Sequence, residues 1–234
     1  MSPLGSAWLL GLLGVVPAAG GPPSVEGELN ALHAALARLD RYAVSVNVTH
    51  FPSTDAERPD FERTIAVKRL DDTVLIDDAD RRVLSSPRQT IVVDKRRARI
   101  LYNAGSSPAT REALQPASVT ESLAAAMRRG DVFRHLGTDP QGIHLVADSD
   151  RGPIRRTEVF IDPKTHFLSR ITYVYRAAGQ SPEMRAEIRY EWGRTDEVRP
   201  ADFLPESYVR YEGTDVRPSG TYAQYELVRL DRDQ

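Results

Sequence analysis

The sequence of 234 residues contains no cysteine, very little lysine and only one long apolar run. Without thiols, disulfide bonds and cysteine-linked lipid anchors are excluded, so the fold must be held together by its own core. Lysine occurs only at Lys68, Lys95 and Lys164, and the net charge is −2 at pH 7. No overall positive field favours nucleic acid, and we predict that the protein does not bind it.

The long apolar run, residues 8–16, lies close to the start of the sequence. It is too short to span a bilayer but has the length of a signal-peptide core, and the small residues Ala18, Ala19 and Gly20 follow it. We therefore predict a signal peptide over residues 1–20 and an exported protein of the periplasm or cell envelope. A membrane anchor is the alternative. Residues 25–234 are predicted to form one domain.

The common catalytic and metal-binding motifs are absent from the sequence. The five histidines are scattered without a metal-ligand spacing, and there is no G-x-S-x-G elbow, P-loop or dinucleotide fingerprint. The acidic pairs Asp71-Asp72 and Asp77-Asp78 stand beside turn residues, which favours solvated turns over a cation site. We expect a protein with no catalytic residues, no metal and no cofactor, and keep a hydrolase as a distant alternative.

Two segments have the apolar spacing of helices. Leucines spaced by three and four residues predict an amphipathic helix over residues 25–41. Apolar residues four apart, followed by Gly130, predict a second helix over residues 117–129. The apolar positions are Leu29, Leu32, Leu36 and Leu39 in the first helix and Val119, Leu123 and Met127 in the second.

The rest of the chain has the period of two that is typical of half-buried strands. The pattern is clearest from Met184 to Trp192, where every second residue is apolar and the four others are charged. Eleven strands are predicted, over residues 42–49, 61–69, 73–76, 90–93, 99–102, 143–147, 156–161, 167–175, 184–192, 208–211 and 222–230.

The large excess of predicted strands over predicted helices indicates the architecture. A sheet of about ten or eleven strands must curl or close, and two helices cannot cover its whole apolar face. We predict an α+β fold with a strongly curved antiparallel sheet, an unclosed half-barrel, and helices that cap its concave face. A packed closed barrel or sandwich is the alternative. A half-barrel would leave a hydrophobic cavity between the helices and the sheet, which favours a ligand-binding protein over an enzyme.

Strand parity assigns residues to this predicted cavity. Its walls are Val44, Val46, Ile65, Val67, Tyr173, Ile188, Tyr190 and Trp192, and its lid residues are Leu32, Leu36, Leu123 and Met127. Arg69 ends the strand of Val67 on the same side. A buried guanidinium needs acceptors, so Arg69 is expected to hydrogen-bond to a lid; the alternative is that it extends into water at the rim.

A basic cluster, Lys95 to Arg99, falls between two predicted strands. Such a cluster is typical of a solvated hairpin, although it could also contact an anionic membrane or an acidic partner.

Short motifs resemble the LolA/LolB-type lipoprotein-carrier family of the bacterial envelope. Val67-Lys68-Arg69 is similar to that family's V-K-R-P strand end, with Leu70 in place of the proline. Residues 93–103 resemble its V-x-D-G-x-x-L-x-x-Y strand pair, with Lys95 in place of the glycine. Residues 160–171 resemble its hairpin with an I-D-x-x-T core.

The resemblance implies a half-barrel that holds lipid or the acyl chains of lipoproteins in transit across the periplasm. It further implies a monomer that receives cargo from an inner-membrane transporter and passes it to an outer-membrane receptor. In this family the arginine of the V-K-R-P motif hydrogen-bonds to the lid, a role that Arg69 would inherit. The alternative is an envelope sensor or scaffold module that uses the same half-barrel to bind a partner protein.

Overall fold

The computed structural model describes residues 24–105, 123, 132–140, 142–179 and 181–230. Over these ranges the α-helix with described bounds is α1 (Val25–Ala37), and no helix has the length and hydropathy of a membrane span. The predicted signal peptide lies outside the described residues. The strands are β1 (Arg41–Phe51), β2 (Phe61–Leu70), β3 (Thr73–Asp77), β4 (Arg81–Ser85), β5 (Gln89–Asp94), β6 (Arg99–Ala104), β7 (Val132–Asp139), β8 (Gly142–Asp148), β9 (Ile154–Ile161), β10 (Leu168–Tyr175), β11 (Met184–Trp192), β12 (Val209–Glu212), β13 (Asp215–Pro218) and β14 (Glu226–Arg229).

Helix α1 begins at a defined cap. The Ser24 side chain accepts a hydrogen bond from the Gly27 backbone N–H at 3.0 Å, which satisfies one of the free donors of the first turn. The helix ends at Ala37, earlier than the predicted boundary at residue 41, because Arg41 already starts β1. Leu32 and Leu36 are buried, as their spacing predicts.

Twelve strands form one sheet in the order β14-β6-β5-β4-β3-β2-β1-β11-β10-β9-β8-β7. The paired strands are antiparallel except β14, which lies parallel to β6. The sheet is curved. In this order β14 and β7 stand at opposite ends and do not pair with each other, so the sheet does not close. The predicted α+β half-barrel is confirmed, with slightly more strands than expected.

The C-terminal strand predictions differ from the structure in detail. Predicted strand 208–211 corresponds to β12, which pairs only with β13 in a separate hairpin. Predicted strand 222–230 begins as a short 3-10 helix, Gly220–Tyr222, and becomes extended only at β14. The predicted helix 117–129 lies outside the described residues except for Leu123, which is helical and buried.

The sheet has an apolar cluster on each face. On what we call the inner face, α1 and Leu123 pack on residues from both halves of the sheet, including Val44, Val67 and Leu145. On the outer face, the segment from Val198 to Val209 packs on Ala43, Leu75 and Leu84 with their neighbours in β5 and β6. Strands β1, β2 and β3 therefore have apolar contacts on both faces.

Candidate functional site

The strand register aligns one row of apolar residues across the inner face. Each member is the direct cross-strand partner of the next, so their side chains lie side by side. In sheet order the row consists of Trp192, Val44, Val67, Ile76, Val83, Val92, Leu101 and Val228.

The two ends of this row differ in how they are covered. Val44 and Val67 are only 3% and 7% exposed and belong to the cluster under α1. Beyond them the row is half-exposed, and four of its members pack in neither apolar cluster. We call this half-exposed part the open row: Ile76, Val83, Val92, Leu101 and Val228.

The open row has the dimensions of a narrow apolar track. It crosses five strands, so at ~4.8 Å per strand spacing it is about 19 Å long. One leaflet of a bilayer has about 15 Å of hydrocarbon, half of the usual ~30 Å core, which is the length that one acyl chain spans. The open row is therefore long enough for one acyl chain laid across the strands.

Polar rows border the open row on both sides. On one side lie Ser85, Thr90 and Asn103, successive cross-strand partners, with the Ser85 and Thr90 hydroxyls 3.4 Å apart. On the other side the register aligns charged residues, and Arg99 Nε lies 2.9 Å from Glu226 Oε2. The track is thus one residue wide. The charged row consists of Arg81, Asp94, Arg99 and Glu226.

The structure brings the predicted cavity residues to this same inner face. Val44, Val67 and Trp192 belong to the row itself, and the other predicted wall residues pack in or against the cluster under α1. Of the predicted lid residues, Leu32, Leu36 and Leu123 are buried in that cluster, and Met127 lies outside the described residues. The remaining wall residues are Val46, Ile65, Tyr173, Ile188 and Tyr190.

Arg69 lies on the inner face, as parity predicted, directly opposite Tyr42 of β1 and Val74 of β3. Its Nε donates to the carbonyl oxygen of Asp71, 2.7 Å away in the following turn. The hydrogen bond to a lid stays a prediction.

The inner face around Tyr42 is buried. Burial raises the pKa of Tyr42 to about 12, although the nearby Arg69 guanidinium opposes the shift. Burial also raises the pKa of Tyr190, and the neighbouring Tyr173 adds to the effect. Both phenols are therefore neutral hydrogen-bonding groups at physiological pH.

No family model matches the sequence, and no curated protein matches it either. Solved structures with a similar arrangement include an uncharacterised conserved protein from Thermus thermophilus (10% identity, TM-score 0.45, 88% of this chain and 99% of that one). A LolA superfamily protein from Nitrosomonas europaea has 9% identity and a TM-score of 0.32, over 78% of this chain and all of that one. The Pseudomonas aeruginosa MucA/MucB complex matches at 11% identity and a TM-score of 0.43, over 82% of this chain and 62% of that one.

The unclosed half-barrel is confirmed by the structure itself. The open sheet and the helix on its inner face are the arrangement that the motif resemblance implied.

The basic cluster is neutralised by acids around its own hairpin. Lys95 Nζ lies 2.7 Å from Asp77 Oδ1 and donates to the Asp78 carbonyl oxygen, and Arg96 Nε lies 2.5 Å from Asp80 Oδ1. Hydrogen bonds from Arg82 and Lys95 lower the pKa of Asp77 in spite of its partial burial, which opposes the shift. This pattern agrees with the predicted solvated hairpin.

Asp78, in the acidic pair Asp77-Asp78, likewise stabilises its turn. Asp78 Oδ1 accepts from the backbone N–H groups of Asp80 and Arg81, at 2.7 and 2.8 Å, and Asp78 Oδ2 lies 2.7 Å from the Arg63 guanidinium. Within the described residues no three acidic or histidine side chains converge as metal ligands would.

The outer face of β9 to β11 has the opposite character to the open row. A pocket of about 350 Å³ there is lined mainly by charged side chains, with Arg156, Arg170 and Arg185 alternating with Glu158 and Glu187. The Arg170 guanidinium stacks on Phe160 at 3.8 Å from the ring centroid. An apolar ligand would have to desolvate these charges, so the inner face is the better candidate site.

Proposed function

We propose that this protein is a non-catalytic binding protein of the cell envelope that holds an acyl chain, of a lipid or of a lipoprotein, along the open row. The observation that carries the proposal is the uninterrupted succession of Val83, Val92, Leu101 and Val228, half-exposed and outside both apolar clusters.

Elementary energetics supports an acyl ligand. Each buried CH₂ contributes about 0.8 kcal/mol, so one long chain gains on the order of 10 kcal/mol in gross terms. A contiguous, half-exposed apolar row of this kind is typical of an interaction site. The polar rows on each side would exclude a broad apolar partner while allowing a single chain to lie between them.

A more specific part of the proposal is that the protein carries its acyl ligand between membranes. The predicted signal peptide is consistent with an exported protein, and the motif resemblance is consistent with cargo taken from an inner-membrane transporter and passed to an outer-membrane receptor. A carrier must also release what it binds, and a lid that competes with the acyl chain for the inner face would allow release by population shift.

The test replaces Val83 and Val92 together by threonine, which keeps their shape but adds hydroxyls. Binding of palmitic acid, measured by isothermal titration calorimetry, is expected to weaken about tenfold or more because the ligand would bury unpaired hydroxyl groups. Val132→Thr is the control: Val132 is 69% exposed on β7, far from the row in sheet order, and its variant should bind like the wild type.

Two outcomes would contradict the proposal. One is equal affinity of the double variant and the wild type for palmitic acid. The other is native mass spectrometry of protein from its own host that shows a stoichiometric protein partner and no lipid, which would support the sensor or scaffold alternative.

A further inference from the structure

The Tyr42 hydroxyl is buried on the inner face without a hydrogen-bond partner. Tyr42 is 5% exposed, and its hydroxyl oxygen is buried and makes no hydrogen bond within the described residues. Its ring packs edge-on against Trp192, with 5.8 Å between the ring centroids. The side chain is thus fixed by aromatic packing while its polar end is unsatisfied.

An unsatisfied hydroxyl in such a place is unusual. Buried tyrosine hydroxyls normally find a partner, and burying one without a partner costs about 1–3 kcal/mol. A phenylalanine at this position would pack equally well without that cost. The hydroxyl is therefore better explained by a group that binds to it than by the packing of the protein.

The position of Tyr42 relates this hydroxyl to the apolar row. On β1, Tyr42 is the inner-face residue immediately before Val44 in the sequence. Its direct partner on β2, Arg69, is the inner-face residue immediately after Val67, so Tyr42 and Arg69 lie on the same side of the pair formed by Val44 and Val67. Tyr42 and Arg69 therefore form a polar pair beside the covered end of the row, one strand before the open row begins at Ile76.

Both members of this pair are donors. A tyrosine hydroxyl can donate one hydrogen bond, and a guanidinium can only donate. An uncharged hydrocarbon offers nothing to such a pair, whereas the oxygen of a carboxylate or an ester carbonyl accepts from it. Acyl ligands carry this oxygen at one end of the chain.

On the basis of the proposed function, we propose that the Tyr42 hydroxyl, beside Arg69, donates to the carbonyl-type oxygen at the head of the bound acyl chain. The preferred ligands are then fatty acids and acyl esters, with the head at the β1-β2 end and the tail along the open row. Chains without a carbonyl oxygen bind more weakly.

The experiment compares three probes on the full chain: palmitic acid, methyl palmitate and hexadecane, each delivered from cyclodextrin and measured by titration calorimetry. Tyr42→Phe is expected to weaken palmitic acid and methyl palmitate about threefold to tenfold and to leave hexadecane unchanged, because one hydrogen bond is lost. A loss confined to palmitic acid would also support the proposal and would identify the head group as a carboxylate.

Tyr225→Phe is the matched control. Tyr225 packs against the apolar cluster of the outer face, on the other side of the sheet from the proposed site, and its variant should bind all three probes like the wild type. The melting temperature of Tyr42→Phe should equal or exceed that of the wild type, since the substitution removes an unsatisfied polar group.

Failures of the two proposals are distinguishable. If wild-type protein binds none of the three probes, the proposed function is wrong whatever the variants do. If it binds them and Tyr42→Phe has unchanged affinity for the two carbonyl probes, or loses hexadecane to the same degree, the role of Tyr42 is wrong and the acyl site stands.

Discussion

At the scale of single residues, Asp162 shows how one carboxylate fixes a turn. Its Oδ1 accepts from the backbone N–H groups of Thr165 and Lys164, at 2.8 and 2.9 Å, and from the Thr165 hydroxyl at 3.1 Å. The hydrogen bond from Thr165 is the main cause of a lowered pKa, which the slight burial opposes. The aspartate and the threonine of the I-D-x-x-T motif therefore stabilise the turn that connects β9 and β10.

Asp162→Asn is expected to reduce the free energy of unfolding by at most about 1 kcal/mol at pH 7, since the acceptor loses its charge near water. Because the folded pKa is depressed, the charge stabilises the fold above the unfolded value of about 3.9, and this contribution disappears as the pH falls through the folded pKa. Urea unfolding of the variant and the wild type at pH 7 and pH 3 measures the difference in their free energies of unfolding where Asp162 is charged and where it becomes protonated. A difference between variant and wild type that is as large at pH 3 as at pH 7 would contradict this account.

Arg69 is the residue whose predicted role in release can be tested directly. If it holds a lid, Arg69→Leu gives a protein that folds and loads cargo but releases it slowly in a transfer assay between membranes. Arg63→Leu is a suitable control, because Arg63 lies on the same face of β2 but is held by Asp78 at 2.7 Å. Normal release by Arg69→Leu would exclude the latch.

At the scale of elements, β4 and β7 were missed in the sequence analysis, because their apolar residues do not alternate regularly with polar ones. β4 has only two adjacent apolar residues, Val83 and Leu84, which face opposite sides of the sheet. β7 has an irregular register between His135 and Gly137, so its alternation is broken and Leu136 is left exposed. Neither pattern has the period of two that identifies a half-buried strand.

The register explains why the candidate site was only partly predictable. Parity within a strand placed Val44, Val67 and Trp192 on one face, and the structure aligns them in one row. Which residues continue that row depends on the pairing of β3 to β6, and parity alone does not specify pairing. Val92 and Leu101 could be assigned to the site only once their cross-strand partners were known.

At the scale of the whole molecule, the sheet carries two apolar clusters where the sequence analysis expected one. A sequence pattern that indicates the second cluster is present in residues 74–76, 91–93 and 100–101, which are apolar without alternation. Such runs are typical of strands that are buried on both faces. The segment around Phe203 and Val209 supplies the second cover, and the inner face of the same strands is left half-exposed as the open row.

This arrangement predicts that the two clusters contribute independently to stability. Leu32 is fully buried under the inner face and Phe203 is 8% exposed on the outer face, so each truncation to alanine should cost about 2–5 kcal/mol. The sheet separates the two sites by roughly 10 Å of layer thickness, and substitutions that share no partner usually add within about 0.5 kcal/mol. Urea unfolding of Leu32→Ala, Phe203→Ala and the double variant tests additivity, with Asn30→Ala, exposed on α1, as the control. A coupling energy above about 1 kcal/mol would instead show that the sheet transmits packing changes between its faces, and a ligand on the inner face would then alter the outer cluster as well.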